Sequence, residues 1–289
     1  MRLFDNGAQR ASNLFTGARA LFLAAALVGV GGLGSVSTVA ATTVAPSTTA
    51  AVAASIRAVI IVGPTGTGTA QNVANAKQLA AQVRGYGATV IELYSPGATW
   101  RRVVSAAQGA NILIYMGHGN GWPSPYGPYQ ENTKDGFGLN ATANAGNLNL
   151  AYYGANFIRA SIHLAPNAVV ILRGLCYSAG NSEPGRAYPT VTAGRQRIQN
   201  FAAGFLAVGA KAVFAEPYGD VSYILTAMFT TKSTARQIWM GHSLGGNSSY
   251  ISYPSQRTAG AHLIGQLDGA GHFRRSLTGS LDLVVTTLK

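Results

Sequence analysis

The chain has 289 residues, enough for one large domain or two small ones, and 47% of them are apolar, ample for a packed core. Only 10% are charged, with Ala, Gly, Ser, Thr and Asn in their place, which excludes a disordered chain of the usual charge-rich kind. The net charge of +12 suits nucleic acid, an anionic envelope polymer or an anionic membrane, yet the basic residues are scattered.

Arg101-Arg102 and Arg274-Arg275 are no more than doublets. With no zinc finger, basic helix or aromatic RNA-binding strand, nucleic acid is set aside as a partner.

The first forty residues read as an export signal. Arg2, Arg10 and Arg19 precede the apolar stretch ALFLAAALVGVGGLG, and small residues follow with a cleavage position after Ala40 or Ala41. The apolar stretch is short and Gly-rich for a spanning helix, so stable membrane insertion is not expected; an uncleaved anchor is the alternative. Residues 41–55, rich in Thr, Ala and Ser, read as a flexible linker. The expected protein is therefore secreted or bound to the cell envelope, with a folded domain over 56–289.

From Arg57 strands and helices alternate. RAVIIVGP is a buried strand with a Gly-Pro stop, and AQNVANAKQLAAQVRGYG is a helix with Val73, Ala76, Leu79, Ala80 and Val83 on one face. ATVIELYSP predicts a second strand, ATWRRVVSAAQG a second helix, and ANILIYMGHG a third strand. Residues 120–166 break the rhythm with Gly, Asn, Pro and Tyr, leaving a short helix near Tyr152–Ile162. NAVVILRGLC is a fourth strand, RQRIQNFAAGFLAVG a helix, AKAVFAEPYG a fifth strand and DVSYILTAMFTT a helix. The tail from Thr234 is less regular, and RRSLTGSLDLVVTTL reads as a hairpin or last strand. This alternation predicts an α/β fold with a mostly parallel central sheet and helices on both faces, a three-layer sandwich.

In such sheets the loops at the carboxyl ends of the strands carry the chemistry. The third strand runs into His118 and the fourth into Cys176, the one cysteine of the chain. If those strands are neighbours, imidazole and thiol emerge at the same edge. A thiol needs a base or a cation to become a nucleophile near neutral pH, and His118 supplies either. Gly117 and Gly119 leave room for a substrate carbonyl beside the imidazole, and the N–H groups of Gly119 and Cys176 are the candidate oxyanion donors. The bland alternative is a small buried thiol and a histidine satisfied within the fold.

ILIYMGHG followed by VVILRGLCYSAG resembles the clan CD cysteine peptidases, which include caspases, metacaspases, legumains and gingipains. The resemblance covers about Arg57 to Tyr223 and implies a caspase-like fold. It implies His118 as imidazole partner, Cys176 as nucleophile, Gly119 as oxyanion donor, and a peptide or protein as substrate. Gly174 stands two residues before the cysteine, where several subfamilies carry a Gln, Asp or Glu that reads the substrate. Trp122, in the aromatic insert after His118, is a candidate groove wall; Glu183 and Asp220 are candidates for a basic-residue pocket.

Two further motifs compete. GHSLGG matches the G-x-S-x-G nucleophile elbow of serine esterases, with Ser243, Asp268 and His272 in a fitting order. GPTGTGTA opens a helix like a phosphate loop, but Thr69 stands where the lysine is required. The five histidines and single cysteine form no metal-ligand pattern, so neither metal nor cofactor is expected. A non-catalytic envelope-binding domain on the same fold is the alternative to an enzyme.

Overall fold

The structure is a computed structural model that describes residues 56–285; the expected signal segment and linker lie outside the described residues, as do residues 286–289. The elements in chain order begin with β1 (Arg57–Val62), α1 (Thr69–Gly85), β2 (Thr89–Tyr94), α2 (Trp100–Ala107) and β3 (Ile112–Met116). The insert carries β4 (Phe137–Asn140), β5 (Leu150–Tyr153) and α3 (Ala155–Ser161). Then follow β6 (Ala168–Arg173), α4 (Val191–Ala207), β7 (Ala210–Glu216), α5 (Ser222–Thr230) and α6 (Ala235–Met240). The described chain closes with β8 (Ser249–Pro254), β9 (His262–Leu267) and β10 (Phe273–Gly279).

Eight strands form one sheet in the order β2-β1-β3-β6-β7-β10-β9-β8. The first five are mutually parallel, and β10, β9 and β8 extend the sheet antiparallel. Alternate residues of the parallel strands feed two cores, which is why those strands read as unbroken apolar runs. Ala58, Ile60, Val62, Ile112, Ile114 and Ile171 pack on one face with α1, α5 and α6. Val59, Ile61, Leu113, Tyr115, Val170 and Leu172 pack on the other with α2, α3 and α4. The fold is thus a three-layer α/β sandwich with a mostly parallel central sheet. Among the described residues no helix is long and apolar enough to cross a membrane.

Three places depart from the sequence reading. The insert contains the hairpin β4–β5, so Tyr152 and Tyr153 belong to a strand and α3 starts only at Ala155. Gly154 makes that boundary: a Cβ there would lie 2.4 Å from the Glu131 carbonyl. In the tail, the last strand expected over Arg274–Leu288 is β10, ending at Gly279 and preceded by β8 and β9. Its Arg275 is fully buried and paired with Glu216 at 3.6 Å, bonded to Gln266 and placed over the Trp239 ring. Polar residues that satisfy one another across strands hide the apolar alternation by which a strand is recognised.

Candidate functional site

β3 and β6 are parallel neighbours in register, Met116 opposite Arg173. The chain leaves both at the same edge, and His118 and Cys176 line one cavity of about 650 Å³. Gly119, Asn120, Tyr126, Lys134, Tyr152, Glu183 and Pro184 complete its wall. His118, Gly119, Cys176 and Glu183, all site candidates from the sequence, meet here.

The glycines flanking His118 serve a different purpose from the one expected. A Cβ on Gly117 would lie 2.4 Å from the Tyr115 hydroxyl, which curls beneath it. That phenol accepts from the Gly138 N–H at 2.8 Å, and the carbonyls of His118 and Gly138 each lie 3.0 Å from it. It fixes the His118 backbone against the β4–β5 hairpin. A Cβ on Gly119 would lie 1.9 Å from the Cys176 carbonyl oxygen. The room the glycines leave is filled by protein, and its use is to bring the two loop backbones into contact. Gly119 and Cys176 are thereby adjacent, as a shared pair of amide donors requires.

Helix α4 braces both loops. Arg197, buried, donates through Nε to the Pro123 carbonyl at 2.6 Å. Its Nη1 donates to the Asn181 carbonyl at 2.9 Å and the Ser182 hydroxyl at 3.1 Å. Asn200 donates to the Trp122 carbonyl at 3.0 Å. Right after the cysteine, buried Tyr177 takes a φ of 68°, a left-handed conformation that non-glycine residues avoid and that clusters at functional sites.

Burial pushes the Cys176 thiol up to about 11, and the Glu183 carboxylate adds to the shift. Burial also lowers His118, against an opposing pull from Glu183. Near neutral pH the pair is therefore a protonated thiol and a neutral imidazole. Among the described residues no hydrogen bond joins the two side chains. In this state the thiol is no thiolate, but the imidazole is free to accept a proton.

Trp122 and Asp220 are not part of the cavity. Trp122 lines a separate pocket of about 280 Å³ with Tyr129, Gln199, Asn200 and Arg257. Burial works to raise the Asp220 carboxyl, but hydrogen bonds from the Ser222 hydroxyl and the Ser222 and Val221 N–H groups, with the Arg173 charge, hold it below the usual carboxylate range. The esterase arrangement is not assembled. An elbow runs from strand to helix, whereas Ser243 follows α6 and precedes β8, the reverse order. Its hydroxyl accepts from the Gly245 N–H at 3.2 Å, while His272 pairs with Asp268 at 3.3 Å across the β9–β10 turn. Gly63–Ala70 holds a short 3-10 turn at Gly66–Gly68 before α1, with Thr69 hydrogen-bonded to the Thr65 N–H at 2.8 Å. Among the described residues no group of three or more His, Cys, Asp or Glu is placed to hold a metal ion.

Sequence reasoning missed Asn120, Lys134 and Tyr152, whereas Tyr126 belongs to the aromatic insert read as a groove wall or a packed surface loop. Tyr126 bridges the two loops, donating to the Glu183 carboxylate at 2.6 Å. Tyr152 stands opposite Gly138 in the hairpin, and Gly138 in turn packs on His118, whose Cβ lies 3.4 Å from where a Gly138 Cβ would be. The only sequence signal for these residues was the density of Tyr and Asn in the insert.

Neither protein-family models nor curated proteins match this sequence. Among solved structures, it is similar to a short-chain flavodoxin associated with a bacterial microcompartment, at 13% identity over 54% of this chain and 77% of that one. The TM-score is 0.27, a likeness that carries no argument about the site.

Proposed function

We propose that the protein is an exported cysteine endopeptidase of caspase-like type that works through His118 and Cys176. The observation that carries this reading is their placement: adjacent parallel strands deliver imidazole and thiol to one cavity beside two touching backbones. The resting state calls for general-base catalysis rather than a standing ion pair. The His118 ring takes the Cys176 proton as the sulfur bonds the substrate carbonyl carbon, and the carbonyl π electrons move to oxygen. The N–H groups of Gly119 and Cys176 hold that oxyanion. The C–N bond then breaks, the imidazolium gives its proton to the leaving amine, and water releases the acyl group and restores the thiol. The excess of positive charge suits retention on anionic envelope polymers.

A second reading is favoured by one observation: among the described residues no hydrogen bond joins the Cys176 thiol to the His118 ring. On that reading the cavity binds peptides without cutting them, as an envelope-binding domain. Cleavage of a quenched-fluorescent peptide library decides between them. The peptidase reading expects turnover that Cys176→Ala and His118→Ala abolish and Ser243→Ala leaves intact. Turnover that survives Cys176→Ala, or none with any peptide, overturns it.

A further inference from the structure

Lys134 is 4% exposed and lines the same cavity as Cys176. Its ammonium donates to the Asn120 side-chain oxygen at 2.8 Å and to the Ser124 hydroxyl at 3.2 Å. Both acceptors are neutral, and one of its three protons has no acceptor among them. Among the described residues no carboxylate comes within ion-pair distance of it; Asp135 and Glu183 act on it from further off. Buried charges in proteins are ordinarily paired, because an unpaired ion loses its hydration without compensation. Burial accordingly holds this lysine below its usual range despite both carboxylates.

The other charge on the cavity wall is differently placed. Glu183 already accepts from Tyr126 and faces Arg186 at 3.9 Å, with its side chain 26% exposed. The Tyr126 ring face, 5.8 Å from the ammonium, adds a weak cation–π contact but no counter-charge, so of the two charged groups the lysine is the deeper and the one without an ionic partner. A cation fixed in that way beside a reaction centre is complementary to an anion that arrives with the ligand.

We propose that Lys134 is the specificity-determining residue of this cavity and reads a carboxylate of a bound peptide. The inference rests on the reading of the cavity as a peptide site. The carboxylate has two sources, an acidic side chain within the peptide or a free C-terminus. Asn120 and Ser124 hold the ammonium in place, and the neighbouring backbone fixes the loop: the Asp135 N–H donates to the Asn120 carbonyl at 2.9 Å, and the Asn120 side chain to the Thr133 carbonyl at 2.8 Å.

The test uses the full chain carrying Cys176→Ala, so that binding is read without turnover. Fluorescein-labelled hexapeptides are titrated by anisotropy in two arms: Glu against Gln at each position with an amidated C-terminus, and all-Gln peptides with a free against an amidated C-terminus. One arm should bind its carboxylate form on the order of tenfold to a hundredfold more tightly. Adding Lys134→Met or Lys134→Gln should bring that ratio to near one. The ratio is taken within each variant, so a lower folded fraction leaves it unchanged. Glu183→Gln, which keeps the Lys134 side chain and its Asn120 and Ser124 acceptors, should tighten carboxylate binding several-fold by removing a charge of the same sign as the ligand's.

No carboxylate preference in either arm overturns the inference. So does a preference that persists in both Lys134 variants, or one that weakens in Glu183→Gln. Wild-type turnover is scored separately. Carboxylate binding through Lys134 with no cleavage sinks the peptidase and keeps the inference; cleavage without carboxylate preference does the reverse.

Discussion

Gly119→Ala adds one methyl group at the contact between the two loops. Its Cβ would sit 1.9 Å from the Cys176 carbonyl oxygen and 2.9 Å from the Cys176 nitrogen. Contacts below 3.0 Å do not persist, so the two backbones must part by about 1 Å. Neither can yield by a side-chain rotation. Gly119 has no positive φ, so the effect is steric and carries no left-handed strain. Overpacking of this kind costs about 1–3 kcal/mol, roughly 2–12 °C in Tm for a domain of this size. A displacement of about 1 Å between imidazole and thiol lowers the rate of attack by roughly a hundredfold. Thermal unfolding and the rate of Cys176 acylation by a peptidyl ketone measure the two effects. Gly85→Ala is the control: nothing lies within 4 Å of its Cβ, and it ends helix α1. It should leave the acylation rate alone and hold or raise stability by up to about 1 kcal/mol. If Gly119→Ala melts and acylates like wild type, the two loops are not held by this contact and the assembled site is wrong.

Arg197→Met should lose about 2–4 kcal/mol in chemical denaturation, because it leaves the Pro123 and Asn181 carbonyls without their buried donor. An equal denaturation midpoint would refute the brace. Asp135 is fully buried, accepts from the Trp122 N–H at 3.0 Å and is raised by burial to about 7, with Arg257 and Lys134 pulling it down and Glu131 pushing it up. An acid raised in the folded state is penalised increasingly as pH climbs from about 4 to about 7. Asp135→Asn should therefore match wild type near pH 4 and exceed it by up to about 4 kcal/mol near pH 8; denaturation across that range checks it, and a constant difference would contradict it. Small alkylators should modify Cys176 slowly at pH 7 and roughly tenfold faster per pH unit towards pH 10. A plateau near pH 8 would mean a standing thiolate.

The parallel half of the sheet was legible in the sequence because both faces of each strand are buried. Runs such as RAVIIV and NILIYM are short, rich in Ile and Val and bounded by turn residues, which favours a buried strand over a helix. The meeting of His118 and Cys176 followed from their positions at two strand ends. The antiparallel half was not legible, since Gln266, Arg275, Ser276 and Thr278 are polar yet buried. The β4–β5 hairpin was hidden by its length, four residues per strand, with Gly138 and Asn140 inside. Lys134 reads as a surface residue in NTKDG; its burial arises only when the insert folds over the strand ends, which no local pattern encodes. The purpose of Gly117 and Gly119 was misread for the same reason. Their neighbours are the Tyr115 ring, which comes from β3 two residues back and curls under Gly117, and Cys176, far along the chain.

The most direct test of the central claim is the labelling of Cys176 by a peptidyl acyloxymethyl ketone at pH 7, against iodoacetamide, in wild type and His118→Ala. The peptide seats the electrophile in the cavity, where the imidazole takes the thiol proton. Wild type should label with the peptidyl reagent at least a hundredfold faster than with iodoacetamide, and His118→Ala should lose that advantage. Equal rates with both reagents, or an advantage that survives His118→Ala, would leave Cys176 a half-buried thiol and the cavity without a catalyst.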